Sequence, residues 1–266
     1  MLGRLRNWVK IRSSATHLPA PFYVVSHERS GTHFLINTLL RNAVLHRGYH
    51  DTGEWLGPYV SGQNNQFSHI DFLRANWDEI TAGSSIIKTH SDRDLFDLRY
   101  PKAKVVYVLR DPRDALVSFC FYLTDPPNKS FRYLAEHKYS SMSDFLRRPL
   151  TPFLRWSYSR GGTGRTVAER WAAHVKGWSA ADDTVVVRYE ELKTDYRRVL
   201  GRLSAFLNLE LLPALSPVGL RDSISVAPRK GVIGDWRNHL TADDEALVRG
   251  AVERAGLDWA AVTWPD

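Results

Sequence analysis

The sequence predicts an α/β domain: a central, mostly parallel sheet flanked by helices. Two observations carry that expectation. Four apolar runs of strand length, Phe22–Val25, Ser85–Ile87, Lys104–Leu109 and Thr184–Arg188, are spread along the chain. Stretches with apolar residues at helical spacing, Thr32–Val44, Asp111–Tyr122, Val167–Trp178 and Tyr196–Leu207, fall between or after them. Alternation of the two periods marks βαβ units, whose crossover helices cover both faces of a parallel sheet. A chain of 266 residues is long enough for one sizeable core, burying roughly 70–75% of its unfolded surface. The domain is expected over 21–266, behind a basic N-terminal extension, 1–20. In the extension Leu2, Leu5, Trp8 and Val9 recur at helical spacing, which fits an amphipathic helix packing on the body, with surface anchoring as the alternative.

The first strand, Phe22–Val25, runs into the polar loop Ser26-His27-Glu28-Arg29-Ser30-Gly31-Thr32-His33, and Phe34, Leu35, Leu39 and Leu40 then repeat at helical spacing. At such a strand-to-helix turn, backbone N–H groups and the positive end of the helix dipole face outward, which suits a phosphate or sulfate. Gly31 lets the backbone approach an anion, Ser30 and Thr32 add hydroxyl donors, and Arg29 adds charge. A plain capped helix start, with Ser30 or Thr32 as the N-cap, is the alternative. The segment lacks the first Gly and the Lys of a Walker A loop, and His27 and His33 are spaced too far apart for the two-histidine helix of a metalloprotease.

The second strand, Ser85–Ile87, is followed by Lys88-Thr89-His90. A histidine at the carboxyl end of a strand is well placed as a general base, since its ordinary pKa of about 6.5 suits proton removal near neutrality; a structural histidine is the alternative. The third, Lys104–Leu109, ends in Arg110-Asp111-Pro112-Arg113-Asp114. A Walker B strand ends in a carboxylate for Mg²⁺, whereas the first polar residue here is a cation, which favours holding an anion directly. Ser118 lies two turns up the following helix, so Arg110 and Ser118 can reach one phosphate; an exposed salt bridge at Arg110 is the alternative. Ligands of open α/β sheets sit beyond the carboxyl ends of the strands, so these three clusters are expected on one rim.

Residues 45–75 and 124–165 are rich in aromatics and loop formers, among them Pro126-Pro127, Pro149, Pro152 and Gly161-Gly162; long segments of this kind are often lids or binding loops. No apolar strand precedes Gly161–Arg165, which therefore reads as a hinge. Trp55, Tyr59, Phe67, Phe119, Tyr122, Phe153 and Trp156 can line an apolar acceptor pocket or serve the core. Trp171, His174 and Trp178 share one helix face and read as structural. Toward the C-terminus, Arg229-Lys230-Gly231-Val232-Ile233-Gly234-Asp235-Trp236 joins two cations to a glycine, the pattern of a mobile anion clamp or of a solvated basic loop.

The net charge of +7 favours an anionic ligand, a nucleic acid or an acidic membrane surface. The single cysteine, Cys120, sits in an apolar run and reads as a buried thiol; with no internal disulfide available, an intracellular, cytoplasmic setting is expected. No apolar stretch approaches the roughly 18–20 residues of a membrane span and no signal peptide is visible, so no stable membrane insertion is expected. His69, His137 and His174 show no metal-ligand spacing, and no metal is expected.

Taken together, these segments resemble the cytosolic-type sulfotransferase family, which uses 3′-phosphoadenosine-5′-phosphosulfate (PAPS). The family's 5′-phosphosulfate loop, Pro-Lys-Ser-Gly-Thr-Thr-Trp, is similar to Glu28-Arg29-Ser30-Gly31-Thr32-His33-Phe34, and its Lys-Thr-His motif to Lys88-Thr89-His90. The 3′-phosphate segment corresponds to Arg110-Asp111-Pro112-Arg113-Asp114 with Ser118, the Tyr-Glu-Asp/Glu-Leu/Met segment to Tyr189-Glu190-Glu191-Leu192, and Arg-Lys-Gly-x-x-Gly-Asp-Trp stands complete at 229–236. The resemblance covers roughly 21–241 and implies a P-loop-like sulfotransferase fold. Arg29 stands where the family has lysine, a planar fork in place of a compact ammonium; Phe34 stands where it has an adenine-stacking tryptophan. The adenine-side Thr-Ser-Phe segment is not recognisable, and the dimer motif is at best partial at Arg237–Glu245, which leaves the oligomeric state open.

The resemblance implies transfer of a sulfuryl group from PAPS to a hydroxyl, or less favourably an amine, of a small-molecule acceptor. It makes His90 the base, with Arg29 and Lys88 at the leaving phosphate. Arg29, Ser30, Gly31, Thr32, His33, Phe34, Arg110, Ser118, Tyr189, Arg229, Lys230 and Gly231 become the binding set for the donor and its product, adenosine 3′,5′-bisphosphate. A P-loop kinase or NTPase lacks its Walker residues here, and a nucleotide- or RNA-binding protein lacks any RNA-binding signature, so no nucleic-acid partner is expected.

Overall fold

The computed structural model describes residues 20–45, 55–56, 59–61, 74–78, 86–124, 139–149, 165–219 and 230–265. Its centre is β1 (Phe22–Ser26), in which all five residues are buried. β4 (Ile86–Thr89) and β5 (Lys104–Leu109) pair with it in parallel on either side, and β6 (Thr184–Arg188) pairs with β5. β3 (Tyr59–Ser61) adds to β4 in parallel, and β2 (Trp55–Leu56) closes the edge antiparallel to β3, giving the order β2-β3-β4-β1-β5-β6.

Alternate residues of one strand feed two cores. Tyr23 and Val25 face a cluster with Ile87, Val105 and Tyr107. That cluster is covered by α3 (Pro112–Thr124), α5 (Val167–Ser179) and α8 (Ala242–Arg254). Phe22 and Val24 face the other, with Ile86, Val106 and Val108, beneath α1 (Thr32–Asn42) and α7 (Tyr196–Leu207). A strand buried on both faces needs an unbroken apolar run, which is what made β1 and β5 readable. The remaining elements are α2 (Arg93–Arg99), α4 (Met142–Arg147), α6 (Tyr189–Thr194), a 3₁₀ turn (Asp235–Asn238) and α9 (Trp259–Val262). Thr166 and Glu169 form a reciprocal cap at the start of α5, and Thr241 and Asp244 do the same for α8.

Several expectations need correction. β4 extends two residues past Ile87, because Lys88 and Thr89 pair with Val24 and Val25; backbone pairing continues where the side chains turn polar. The stretch 45–75, read as irregular, contains β2 and β3, and 124–165 contains α4; elements this short leave no periodicity. No element was expected beyond Leu207, where α8 and α9 complete one face. Phe119 is fully buried against Phe145 and His27, so it belongs to the core and not to an acceptor pocket. Cys120 is buried as expected, and burial pushes its thiol up to about 12. The N-terminal extension apart from Ala20, Phe67, Phe153, Trp156, Gly161–Gly164 and Arg229 lie outside the described residues. Among the described residues no helix is long and apolar enough to cross a membrane.

Candidate functional site

Between Ser26 and Thr32 the chain turns through two left-handed residues, Arg29 (φ 65°) and Gly31 (φ 96°). Gly31 is the N-cap of α1 and no side chain caps the helix, which overturns the capped-start alternative: Thr32 Oγ1 lies 2.5 Å from Ser26 Oγ instead. The first N–H groups of a helix have no intrahelical partner, so the turn presents donors. Gly31 is required twice over, by its left-handed φ and because a Cβ there would lie 2.3 Å from Tyr189 Cδ2. The close approach that excludes a side chain is that of a tyrosine ring.

His90 follows β4 and packs against the end of β1. Its Nδ1 lies 2.7 Å from the Ser26 carbonyl oxygen and 3.4 Å from Ser26 Oγ. A carbonyl only accepts, so Nδ1 carries the hydrogen and the lone pair sits on Nε2. Burial, then the Lys88 ammonium, hold the imidazole well below its ordinary pKa, with the Glu28 carboxylate opposing; the ring is neutral. Lys88 is buried and makes no hydrogen bond or ion pair with another described residue. Burial brings its ammonium down to about 8, again with Glu28 opposing. His33, half-buried between Lys88 and Arg29, is held down to about 3 by burial and those two charges.

On the other side of the loop, Arg29 Nε donates to Ser118 Oγ at 3.3 Å, and its guanidinium lies 4.9 Å above the Tyr122 ring. Arg110 donates through Nη1 to the Arg29 carbonyl at 3.1 Å and through Nη2 to the Val232 carbonyl at 3.3 Å, over the face of Tyr189 at 4.6 Å. Arg110 is only 5% exposed; its Nη2 pairs with Asp114 at 3.9 Å, and its buried Nε has no partner among the described residues, so the salt bridge is present but buried, where the alternative expected it exposed. The rest of that motif is fastening: Arg113 grips Asp111 with two parallel bonds and reaches Glu245 at 2.8 Å, and Asp114 accepts the N–H groups of Gly234 and Trp236.

Tyr189 ties the loop to the C-terminal segment. Its ring stands against Gly31 and edge-on to Phe34 at 5.7 Å, and its hydroxyl donates to the Gly231 carbonyl at 2.9 Å. Lys193 also donates to Gly231 O. Lys230 is largely exposed and pairs with Asp235 at 3.7 Å. The structure therefore gathers Arg29, Gly31, Thr32, His33, Phe34, Lys88, His90, Arg110, Ser118, Tyr189 and Gly231 on one rim, as the strand-end rule predicts. Ser30 is buried in the loop and donates its N–H to His27 O at 3.3 Å; Lys230 remains turned toward solvent.

Sequence reasoning missed the support beneath the loop. Glu28 is buried and paired with Arg170 of α5 at 2.8 Å and 3.3 Å. Burial pushes its carboxyl up, but the charge and hydrogen bonds of Arg170 together with His90 and His174 outweigh it and the net is down. Arg170 Nη1 also donates to His27 Nε2 at 2.7 Å, while His27 Nδ1 donates to the Glu28 carbonyl at 2.9 Å. The signal was present in the sequence: Arg170 and His174, two polar residues four apart, stand on the helix face that Trp178 marks as buried. The assembled rim can dock a polyanion on buried, under-compensated cations and present a neutral imidazole beside it.

Comparison with known proteins follows the same line. The family model described as "Sulfotransferase domain" matches residues 19–217. A 3-alpha-hydroxysteroid sulfotransferase of Cavia porcellus is 27% identical over 234 residues, 73% of this chain and 74% of the relative. A 3-beta-hydroxysteroid sulfotransferase of the same species is 25% identical over 205 residues, 63% of this chain and 65% of the relative. The crystal structure of a mouse sulfotransferase complexed with PAP aligns with a TM-score of 0.55 at 17% identity, covering 92% of this chain and 90% of that one, a likeness of fold.

Proposed function

We infer the reaction from one premise: the chain belongs to the sulfotransferase family. It transfers the sulfuryl group of PAPS to the hydroxyl of a small-molecule acceptor. The observation that carries this reading is a pair of buried cations on either side of a donor-rich loop, with the neutral His90 ring beside them: Lys88 has no hydrogen bond or ion pair to another described residue, and Arg110, paired with Asp114 at 3.9 Å, keeps a buried Nε with no partner among the described residues. A buried charge is costly unless paired, so these positions fit an anionic ligand.

PAPS supplies the sulfuryl group and two phosphate sites by which it is held. Lys88, Arg29, Thr32 and the first N–H groups of α1 bind its 5′ end, where they meet the negative charge that grows on the departing phosphate. His90 Nε2 takes the acceptor's hydroxyl proton as the new oxygen–sulfur bond forms and the sulfur–phosphate oxygen bond breaks, releasing adenosine 3′,5′-bisphosphate. Arg110, through its unpartnered Nε, binds the 3′-phosphate with Ser118, Arg229, Lys230 and the Gly231 backbone. Phe34 offers an aromatic face to adenine, and Tyr189 holds the turn between the two ends. Each charge-assisted bond contributes about 1.5–3 kcal/mol. The hydroxysteroid relatives support a hydroxyl acceptor.

The test is thermal stabilisation by adenosine 3′,5′-bisphosphate against ATP-Mg and RNA. At a hundredfold excess over Kd, the bisphosphate is expected to add about 2.7 kcal/mol while the others add far less. Preference for ATP-Mg would favour a kinase, and a salt-steep affinity for RNA a nucleic-acid protein. A panel of alcohols, phenols and amines with labelled PAPS then identifies the acceptor class.

A further inference from the structure

Arg170, His174 and Trp178 stand at four-residue spacing on one face of α5, and each grips a stretch just past the end of β1 or β4. Arg170 holds Glu28 and His27, His174 Nε2 lies 3.3 Å from the His90 carbonyl oxygen, and Trp178 Nε1 donates to the Ser91 carbonyl at 3.1 Å. We propose that His174 is a positioning residue for the base: it fixes the backbone of His90 so that the imidazole keeps Nε2 turned to the acceptor. The proposal rests on the reading of His90 as the base.

His174 is fully buried, and burial with the nearby Arg170 and His27 brings its pKa down to about 3. A neutral imidazole has one donor and one acceptor. The His90 carbonyl accepts, so His174 Nε2 carries the hydrogen. Its Nδ1 then accepts from the Tyr107 hydroxyl at 2.9 Å, on β5. Burial raises the Tyr107 pKa, keeping the hydroxyl protonated and able to donate. The His90 carbonyl therefore sets the His174 tautomer, the Tyr107 hydroxyl matches it by donating to Nδ1, and His90 Nδ1 in turn holds the Ser26 carbonyl. The base is gripped at its ring by Ser26 of β1 and at its backbone by His174 of α5, which Tyr107 of β5 steadies. A histidine serving only to fill the core would be replaceable by leucine, since packing alone needs volume and no donor.

That contrast supplies the experiment. His174→Leu keeps volume without a donor, and His174→Gln places an amide N–H near the Nε2 position. With PAPS and 2-naphthol as probe acceptor, kcat is expected to fall about 10- to 100-fold in the leucine variant and to return to within about threefold of wild type in the glutamine variant. Affinity for the bisphosphate, read directly by calorimetry, stays within about twofold in both. The ¹⁵N signals of the His90 ring, which need no acceptor, show a single Nδ1–H tautomer in wild type and a mixture in the leucine variant. The proposal is overturned by a leucine variant with wild-type kcat, a glutamine variant as impaired as leucine, bisphosphate affinity falling in step with kcat, or unchanged His90 ring signals. His90→Ala is the control: normal turnover there removes the base assignment, and the ring signals alone then decide the role of His174.

Discussion

The loop 27–34 and the segment 230–237 both bring cations to the same rim, yet they are fastened differently. The first is braced from below by Glu28–Arg170, from behind by Thr32–Ser26 and from above by the Tyr189 ring. The second hangs on a few backbone contacts, chiefly Asp114 to Gly234 and Trp236 and Tyr189 to Gly231, and leaves Lys230 in solvent. Bond making requires atoms held within fractions of an ångström, which on the proposed reading accounts for the heavier fastening of the end that would face the sulfuryl group. Recognition of a distant phosphate tolerates a segment that settles on its ligand. Tyr189 is the hinge of this arrangement, since one ring touches Gly31 and one hydroxyl holds Gly231.

The comparison breaks most visibly at the rigid end. His90→Ala is expected to lower turnover by about 10²–10⁴-fold while bisphosphate affinity, measured by calorimetry, stays near wild type; full activity would remove His90 as the base. At the draped end, Arg110→Ala should weaken adenosine 3′,5′-bisphosphate by roughly 10- to 150-fold, the loss of one charge-assisted contact. Binding of 5′-AMP should change far less, and equal losses for the two ligands would place Arg110 away from the 3′-phosphate.

The smallest effect is a pH dependence confined to the rigid end. Lys88 has an ordinary pKa of 10.5 that burial brings down to about 8, and it faces Glu28, His33 and His90. It is charged below that value and neutral above it, so affinity for the bisphosphate should fall by about tenfold as pH rises through 8 and beyond. Lys88→Met should flatten that step; an unchanged profile in the variant would assign it elsewhere. In the unliganded protein the sign reverses. Between about 8 and 10.5 the unfolded chain binds the proton that the folded state has lost, so stability rises with pH there.

Much of this was readable without coordinates. The strands β1 and β5 announced themselves because a strand buried on both faces must be apolar throughout or nearly so, the half-buried edge strand β6 because its valine run has strand length and composition, and α7 because its apolar stripe repeats at helical spacing. The site motifs at 28–34, 88–90, 110–114 and 189–192 were readable because each lies within a few residues of a strand end, and the one at 229–236 through its own pattern of cations and glycines. What could not be read was which groups Glu28, Arg170 and His174 meet. Their roles depend on contacts across 84 to 143 residues of chain, and no local spacing reports which loop a helix face will meet. Phe119 illustrates the opposite case, a reading left open between two fates: an aromatic beside a predicted site is as readily core as pocket, and only burial distinguishes them.

The sequence by itself determined the alternation of strand and helix, the strand-end placement of Arg29, His90 and Arg110, and through its motifs the family. Tertiary structure alone decided that Gly31 makes room for Tyr189, that Lys88 and the Nε of Arg110 are buried without a hydrogen-bond partner among the described residues, and that His90 is held through Ser26 and His174. The physical reason is that periodicity and motif are properties of neighbours in the chain. Burial, tautomer and charge compensation are properties of neighbours in space, which exist only once the sheet has brought the ends of β1, β4 and β5 together.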